Sequence, residues 1–188
     1  MRVFSFRPAI TLRGRGFNGL RGWAGKPFHP PLTDIPVTAY LFGAAFDLVS
    51  LLGRSRSWAV DFHRAATYVF IGGLAVSLLT ALTGFFDWLR STPKGTQARR
   101  TVNTHAWIMI TVTVLVIADV AVRLASESGA VHTGVGVLVL SLLAAALVSL
   151  GATYGGSLVY DYGFNVETAG DHPVWHVSET DVFPGAPH

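Results

Sequence analysis

Four long apolar runs constrain this chain more than any other feature. They extend over about 35–53, 65–88, 102–124 and 133–154, and each is close to the roughly 20 helical residues that cross a bilayer. Inside hydrocarbon the backbone must bond to itself, and the runs lack the strict alternation of a membrane barrel, so all four read as helices. Connections of about 8 to 13 residues make successive helices antiparallel neighbours. The expected fold is therefore an all-α integral membrane protein, an up-down-up-down bundle of four transmembrane helices. Composition agrees: only 13% of the 188 residues are charged, against about 25% in a soluble domain. Cysteine is absent, which excludes disulfides, thiolate metal sites and a cysteine nucleophile. The first run lies too far from Met1, and is too long, to read as a cleaved signal core.

Basic residues set the expected orientation. Arg2, Arg7, Arg13, Arg15, Arg21 and Lys26 precede the first run, and Arg90, Lys94, Arg99 and Arg100 lie between the second and third. The other side holds Arg54, Arg56, Arg64 and Arg123. Ten against four places both tails and the middle loop in the cytoplasm of a bacterial inner membrane. Residues 1–28 form a basic arm without acids, interleaved with Phe4, Phe6, Phe17, Trp23 and Phe28. Such a segment suits an anionic leaflet, with rings at the interface. Topology alone accounts for its charges, so nucleic acid is not an expected partner. An organelle transit peptide has a similar composition. The membrane domain is expected over 29–162, followed by an acidic Pro/Gly/His-containing tail over 163–188, in which His172, His176 and His188 lack regular metal-ligand spacing.

Polar residues near the ends of the runs form two groups. His29, Asp34, Asp87 and His105 belong to one end of the bundle. Asp34 stands just before Ile35 and Pro36, where a carboxylate caps a first helical turn. Asp87 closes the second run and His105 opens the third, positions where the helix dipole disfavours an anion and a cation respectively. A hydrogen bond between them, with Arg90 as a further partner, offsets both conflicts. It reads either as a clamp on the hairpin or as a carboxylate-oriented imidazole available to a proton, quinone or metal.

The second group is Asp47, His63, Asp119, Arg123 and His132. Asp119 and Arg123 are spaced to pair on one helix face. Asp47 lies inside the first run and calls for a cation, Arg123 or Arg64. Two histidines at each end, His29 with His105 and His63 with His132, raise ligation of b-type haem, weighed against purely structural roles. Small residues Gly73, Ser77, Ala81 and Gly84 share one face of the second run, and Gly151 with Gly155 makes a GxxxG step in the fourth. There is no Walker loop, GxSxG elbow or HExxH helix, so no catalytic residues are assigned.

Several of these residues carry a resemblance. His29-Pro30-Pro31-Leu32-Thr33-Asp34-Ile35-Pro36 with Asp47, Gly84-Phe85-Phe86-Asp87-Trp88, His105 after Arg99-Arg100, and Gly155-Gly156-Ser157-Leu158-Val159-Tyr160 together resemble the domain of unknown function family 2231. The resemblance covers about residues 28–166 and implies four membrane helices. Many members have histidine where this chain has Asp34. Some relatives are fused to a Rieske iron–sulfur domain or to cytochrome-like modules, which implies a Rieske-like or cytochrome-like redox partner. Without cysteine, these residues cannot themselves hold a Rieske cluster. The leading expectation is an inner-membrane module that anchors or assists such a partner. The alternatives are a haem b- or quinone-binding electron-transfer protein and, last, a small transporter built on Asp47, Asp119 and Arg123.

Overall fold

The computed structural model describes residues 27–90 and 93–164. The basic arm before residue 27 and the tail with His172, His176 and His188 lie outside the described residues. Within them the fold is four helices: α1 (His29–Leu52), α2 (Ala59–Arg90), α3 (Gln97–Ser126) and α4 (Val135–Tyr160). All four are long and apolar enough to cross a membrane. α1 packs on α2 and α4, and α3 packs on α2 and α4. Among the described residues, α1 and α3 do not pack backbone to backbone; they meet only through side chains.

The helices overrun their apolar segments, by six residues at the starts of α1 and α2 and at the end of α4. Pro30 and Pro31 occupy the first turn of α1, where a missing N–H has no intrahelical role. The helix can therefore begin at His29, six residues before the apolar run. This corrects the expected capping role of Asp34: it lies inside the helix and is exposed, while Phe28 holds the cap position with no side-chain cap bond. Pro36 is inside the helix too, so the Leu32 carbonyl lacks its usual donor. The Thr80 hydroxyl of α2 lies 3.3 Å from it, but its one hydrogen has a nearer acceptor in the Val76 carbonyl at 2.9 Å.

Polarity is arranged inside out. Leu78, Leu79, Leu82, Val114, Ile117, Leu142 and Leu143 face outward, while Asp47, Ser50, His63, Ser77, Thr80, Asp119, Arg123, Thr133 and Ser141 are buried. Lipid rewards no sequestration of leucine, so helix contacts rest on close approach and on polar pairs. Gly73 is one such approach, since a Cβ there would stand 2.7 Å from Ala39. At mid-depth Tyr40, Phe70, Val112, Val116, Ala144 and Val148 form an apolar core, with Tyr40 stacked on Phe70 at 5.6 Å. This plug separates two polar ends.

The α2–α3 connection turns at Gly95, whose φ of 80° suits glycine. Thr96 then caps α3 by accepting the Arg99 N–H at 3.1 Å. The hairpin is clamped by Trp88 Nε1 donating to Asn103 Oδ1 at 2.7 Å and by Arg99 donating to the Trp88 carbonyl at 2.5 Å. Trp88 and Arg99 stood out in the sequence for other reasons and Asn103 not at all; the clamp was sought between Asp87 and His105.

A candidate cofactor cavity and an ionic lock

At one end the helices line a half-open cavity of about 800 Å³, with residues of all four including His29, Asp34, Asp87 and His105. Its size falls within the range of small-molecule and cofactor sites, about 300–1,000 Å³. His29 of α1 and His105 of α3 face one another across it, ring centroids 6.4 Å apart and planes at 82°. Both rings are half-buried.

Each imidazole is braced by a neighbouring helix. His29 Nδ1 lies 3.0 Å from the Thr80 carbonyl oxygen of α2 and 3.3 Å from Thr83 Oγ1. His105 Nδ1 lies 2.8 Å from the Gly151 carbonyl oxygen of α4. A carbonyl oxygen only accepts, so Nδ1 carries the hydrogen in both rings, and each neutral ring has its lone pair on Nε2. Among the described residues neither Nε2 has a hydrogen-bond partner. A backbone carbonyl on Nδ1–H with Nε2 left as donor is the arrangement that orients histidine toward a metal. Two glycines make room for the rings: a Cβ on Gly84 would stand 2.6 Å from His29 Cε1, and one on Gly155 would stand 3.2 Å from His105 Cε1.

The expected orienting partner of His105 is thereby corrected. Its Nδ1 belongs to the Gly151 carbonyl and not to Asp87. The conflict of His105 with the α3 dipole is resolved from α4, because the gap at Gly155 lets the ring reach the backbone one turn away. Asp87 is buried, 3% exposed, and has contacts of its own. Arg90 stacks on Phe86 at 5.9 Å. Backbone carbonyls leave no trace in side-chain patterning; only the glycine pairs hint at them.

The opposite end is closed. Arg123 is 1% exposed, and both carboxylates beside it are fully buried. Its Nη2 pairs with Asp47 Oδ2, Nη1 donates to Asp47 Oδ1 at 3.1 Å, and Nε donates to Asp119 Oδ2 at 2.8 Å. The guanidinium also lies over the Phe70 ring at 4.7 Å. Asp47 belongs to α1 and Arg123 to α3, so this pair spans the same diagonal as the histidines. Arg64, the other candidate cation for Asp47, is exposed. Thr133 Oγ1 donates to Asp47 Oδ1 at 2.9 Å, and its backbone N–H donates to Ser50 Oγ at 3.0 Å. His63 reaches Thr133 Oγ1 through Nδ1 at 3.2 Å and the Glu127 carbonyl through Nε2 at 3.3 Å. His132 Nδ1 contacts the Thr133 carbonyl at 3.1 Å. With both nitrogens of His63 engaged by protein, the expected haem position between His63 and His132 is not supported. Ser50, Thr67 and Thr133, which complete this end, carried no signal in the sequence beyond being polar near span boundaries.

Among the described residues no group of three or more His, Cys, Asp or Glu side chains is placed to hold a metal ion. No curated protein and no solved structure matches the chain. One family model does, over residues 25–168, and its description is a predicted membrane protein. The matched stretch takes in both polar ends and all four helices, and the chain belongs to this family, DUF2231.

Proposed function

We propose that this protein is a membrane electron-transfer module whose cavity holds a b-type haem between His29 and His105. The observation that carries the reading is the pair itself: two imidazoles from diagonally opposed helices, 6.4 Å apart, each with Nδ1–H committed to a backbone carbonyl. His29 and His105 would hold the group through their Nε2 atoms, one from each side of the cavity. A bare ion would need one or two further protein ligands, and the described residues offer no such set. A macrocycle brings its own equatorial donors. When bound, it would supply one-electron chemistry; the chain's own part is to orient both rings and to keep the site apolar.

The same reading includes an up-down-up-down bundle with both termini cytoplasmic in a bacterial inner membrane, serving a Rieske-like or cytochrome-like partner. The meeting of the α1 and α3 starts with the α2 and α4 ends at one cavity supports the topology, and the bias of basic residues supports the orientation. A second reading, quinol in the cavity, is favoured by the bare Nε2 atoms, which accept from a hydroxyl.

The test is a reduced-minus-oxidised visible spectrum of the detergent-purified full chain, expressed with haem precursor. A sharp alpha band is expected, lost in His29→Ala and in His105→Ala and kept in His132→Ala. A flat spectrum from folded wild type overturns haem ligation and puts quinol first. Orientation is tested separately, because the chain has no cysteine. With a membrane-impermeant maleimide, Ser55→Cys is expected to label in cells with a permeabilised outer membrane, and Lys94→Cys only after lysis.

A further inference from the structure

The closed end raises a question of proton count. Asp47 Oδ1 accepts from the Thr133 hydroxyl, so that hydroxyl has no hydrogen left for His63, and Thr133 Oγ1 can only accept from Nδ1. On the other side of the ring, Nε2 meets the Glu127 carbonyl oxygen, which also only accepts. Both contacts are satisfied together only when both ring nitrogens carry hydrogen. Charge also calls for one proton in this cluster. Asp47, Asp119 and Arg123 are all buried and sum to one net negative charge, and an uncompensated charge in such a place is strongly unfavourable. A proton on Asp119, whose Oδ1 has no hydrogen-bond partner among the described residues, or on His63, itself 4% exposed, brings the cluster to zero, and the hydrogen count selects His63.

We propose that His63, Asp47, Asp119 and Arg123 form a proton-binding site at this end, and that the proton held on His63 fastens the α3–α4 connection to α2. The titratable groups of the network around His63 are Asp47 from α1, Asp119 and Arg123 from α3, Glu127 at the cap of α3, and His132 from the connection; α4 brings no titratable side chain to this end. Glu127 adds to the negative surroundings, and its carboxylate accepts the Gly134 N–H at 3.2 Å. Loss of the proton forfeits one of the two contacts. Either the Thr133 contact or the Glu127 contact of His63 is lost, so α2 keeps one tie to the connection instead of two while Thr133 stays bonded to Asp47 and Ser50 of α1, and the cluster is left with net charge. The site is separated from the cavity by the apolar core and does not depend on what the cavity binds.

Nitrogen-15 NMR of the histidine rings in the detergent-solubilised full chain tests this. At neutral pH, His63 is expected to show two protonated ring nitrogens, with its signals assigned by their loss in His63→Gln. Asp119→Asn removes a buried negative charge and is expected to leave His63 with one protonated nitrogen at the same pH. Should His63→Gln fail to fold, backbone correlations in wild type assign the same signals. A wild-type ring with one bare nitrogen at neutral pH overturns the proposal, as does a doubly protonated ring unchanged in Asp119→Asn.

Discussion

The two ends of the bundle join the same helices by opposite means. At one end α1 and α3 are bridged by Asp47 and Arg123, a guanidinium spent on two carboxylates with every surrounding hydroxyl committed. At the other, His29 and His105 approach across about 800 Å³ of space, each tied to a neighbouring helix and each keeping one nitrogen unspent. The first arrangement fixes the diagonal distance and leaves a single buried acceptor, Asp119 Oδ1, without a hydrogen-bond partner among the described residues. The second presents donors and leaves a gap. On the function proposed above, the contrast is a division of labour, in which a closed ionic lock holds the bundle in register while the open end binds.

Substitutions at the closed end sharpen the contrast most. Arg123→Met strips the counter-ion from two buried carboxylates and is expected to cost about 3–5 kcal/mol, read by denaturant unfolding in detergent. A loss below about 1 kcal/mol would show that the network does not hold the fold. Thr133→Val removes the hydroxyl shared by Asp47 and His63. An expected cost of about 1–3 kcal/mol follows from leaving buried polar groups unpaired, measured the same way.

At the open end the effects on stability shrink and those on binding grow. Gly84→Ala sets a Cβ against His29, and overpacking of about 1–3 kcal/mol is offset by about 1 kcal/mol of helix propensity. Its melting point should move little while the haem absorbance is lost; an unchanged spectrum would separate His29 from the ligand. His105→Ala forfeits one hydrogen bond worth about 0.5–1.5 kcal/mol, and the expected outcome is a folded protein without the absorbance. Unfolding as deep as that of Arg123→Met would erase the distinction between the two ends.

Part of this was legible in the residues. The apolar runs announced four helices because lipid demands length and hydropathy, which are local properties. The i,i+4 spacing of Asp119 and Arg123 announced their pair, and Asp47 inside a span announced its need for a cation. The gathering of His29, Asp34, Asp87 and His105 followed from their positions at span ends. Other features were hidden. The capping role expected of Asp34 failed because prolines are tolerated ahead of it, so the helix began earlier. The partner of His105 was sought among acids, since only side chains are written in a sequence, whereas the structure uses the Gly151 carbonyl. Trp88 with Asn103, and His29 with the Thr80 carbonyl, join residues on different helices and have no spacing to betray them.

By itself, then, the sequence determined the number of helices, their apolar exteriors and the supply of ionisable groups at each end, because each depends on composition within a single run. The tertiary structure alone decided which nitrogen of each histidine is spent, that Arg123 and not Arg64 serves Asp47, and that one end is filled while the other is hollow. Those outcomes depend on tenths of an ångström between helices far apart in the chain, where the absence of a Cβ at Gly84 and Gly155 admits a ring and the presence of Thr133 closes a network.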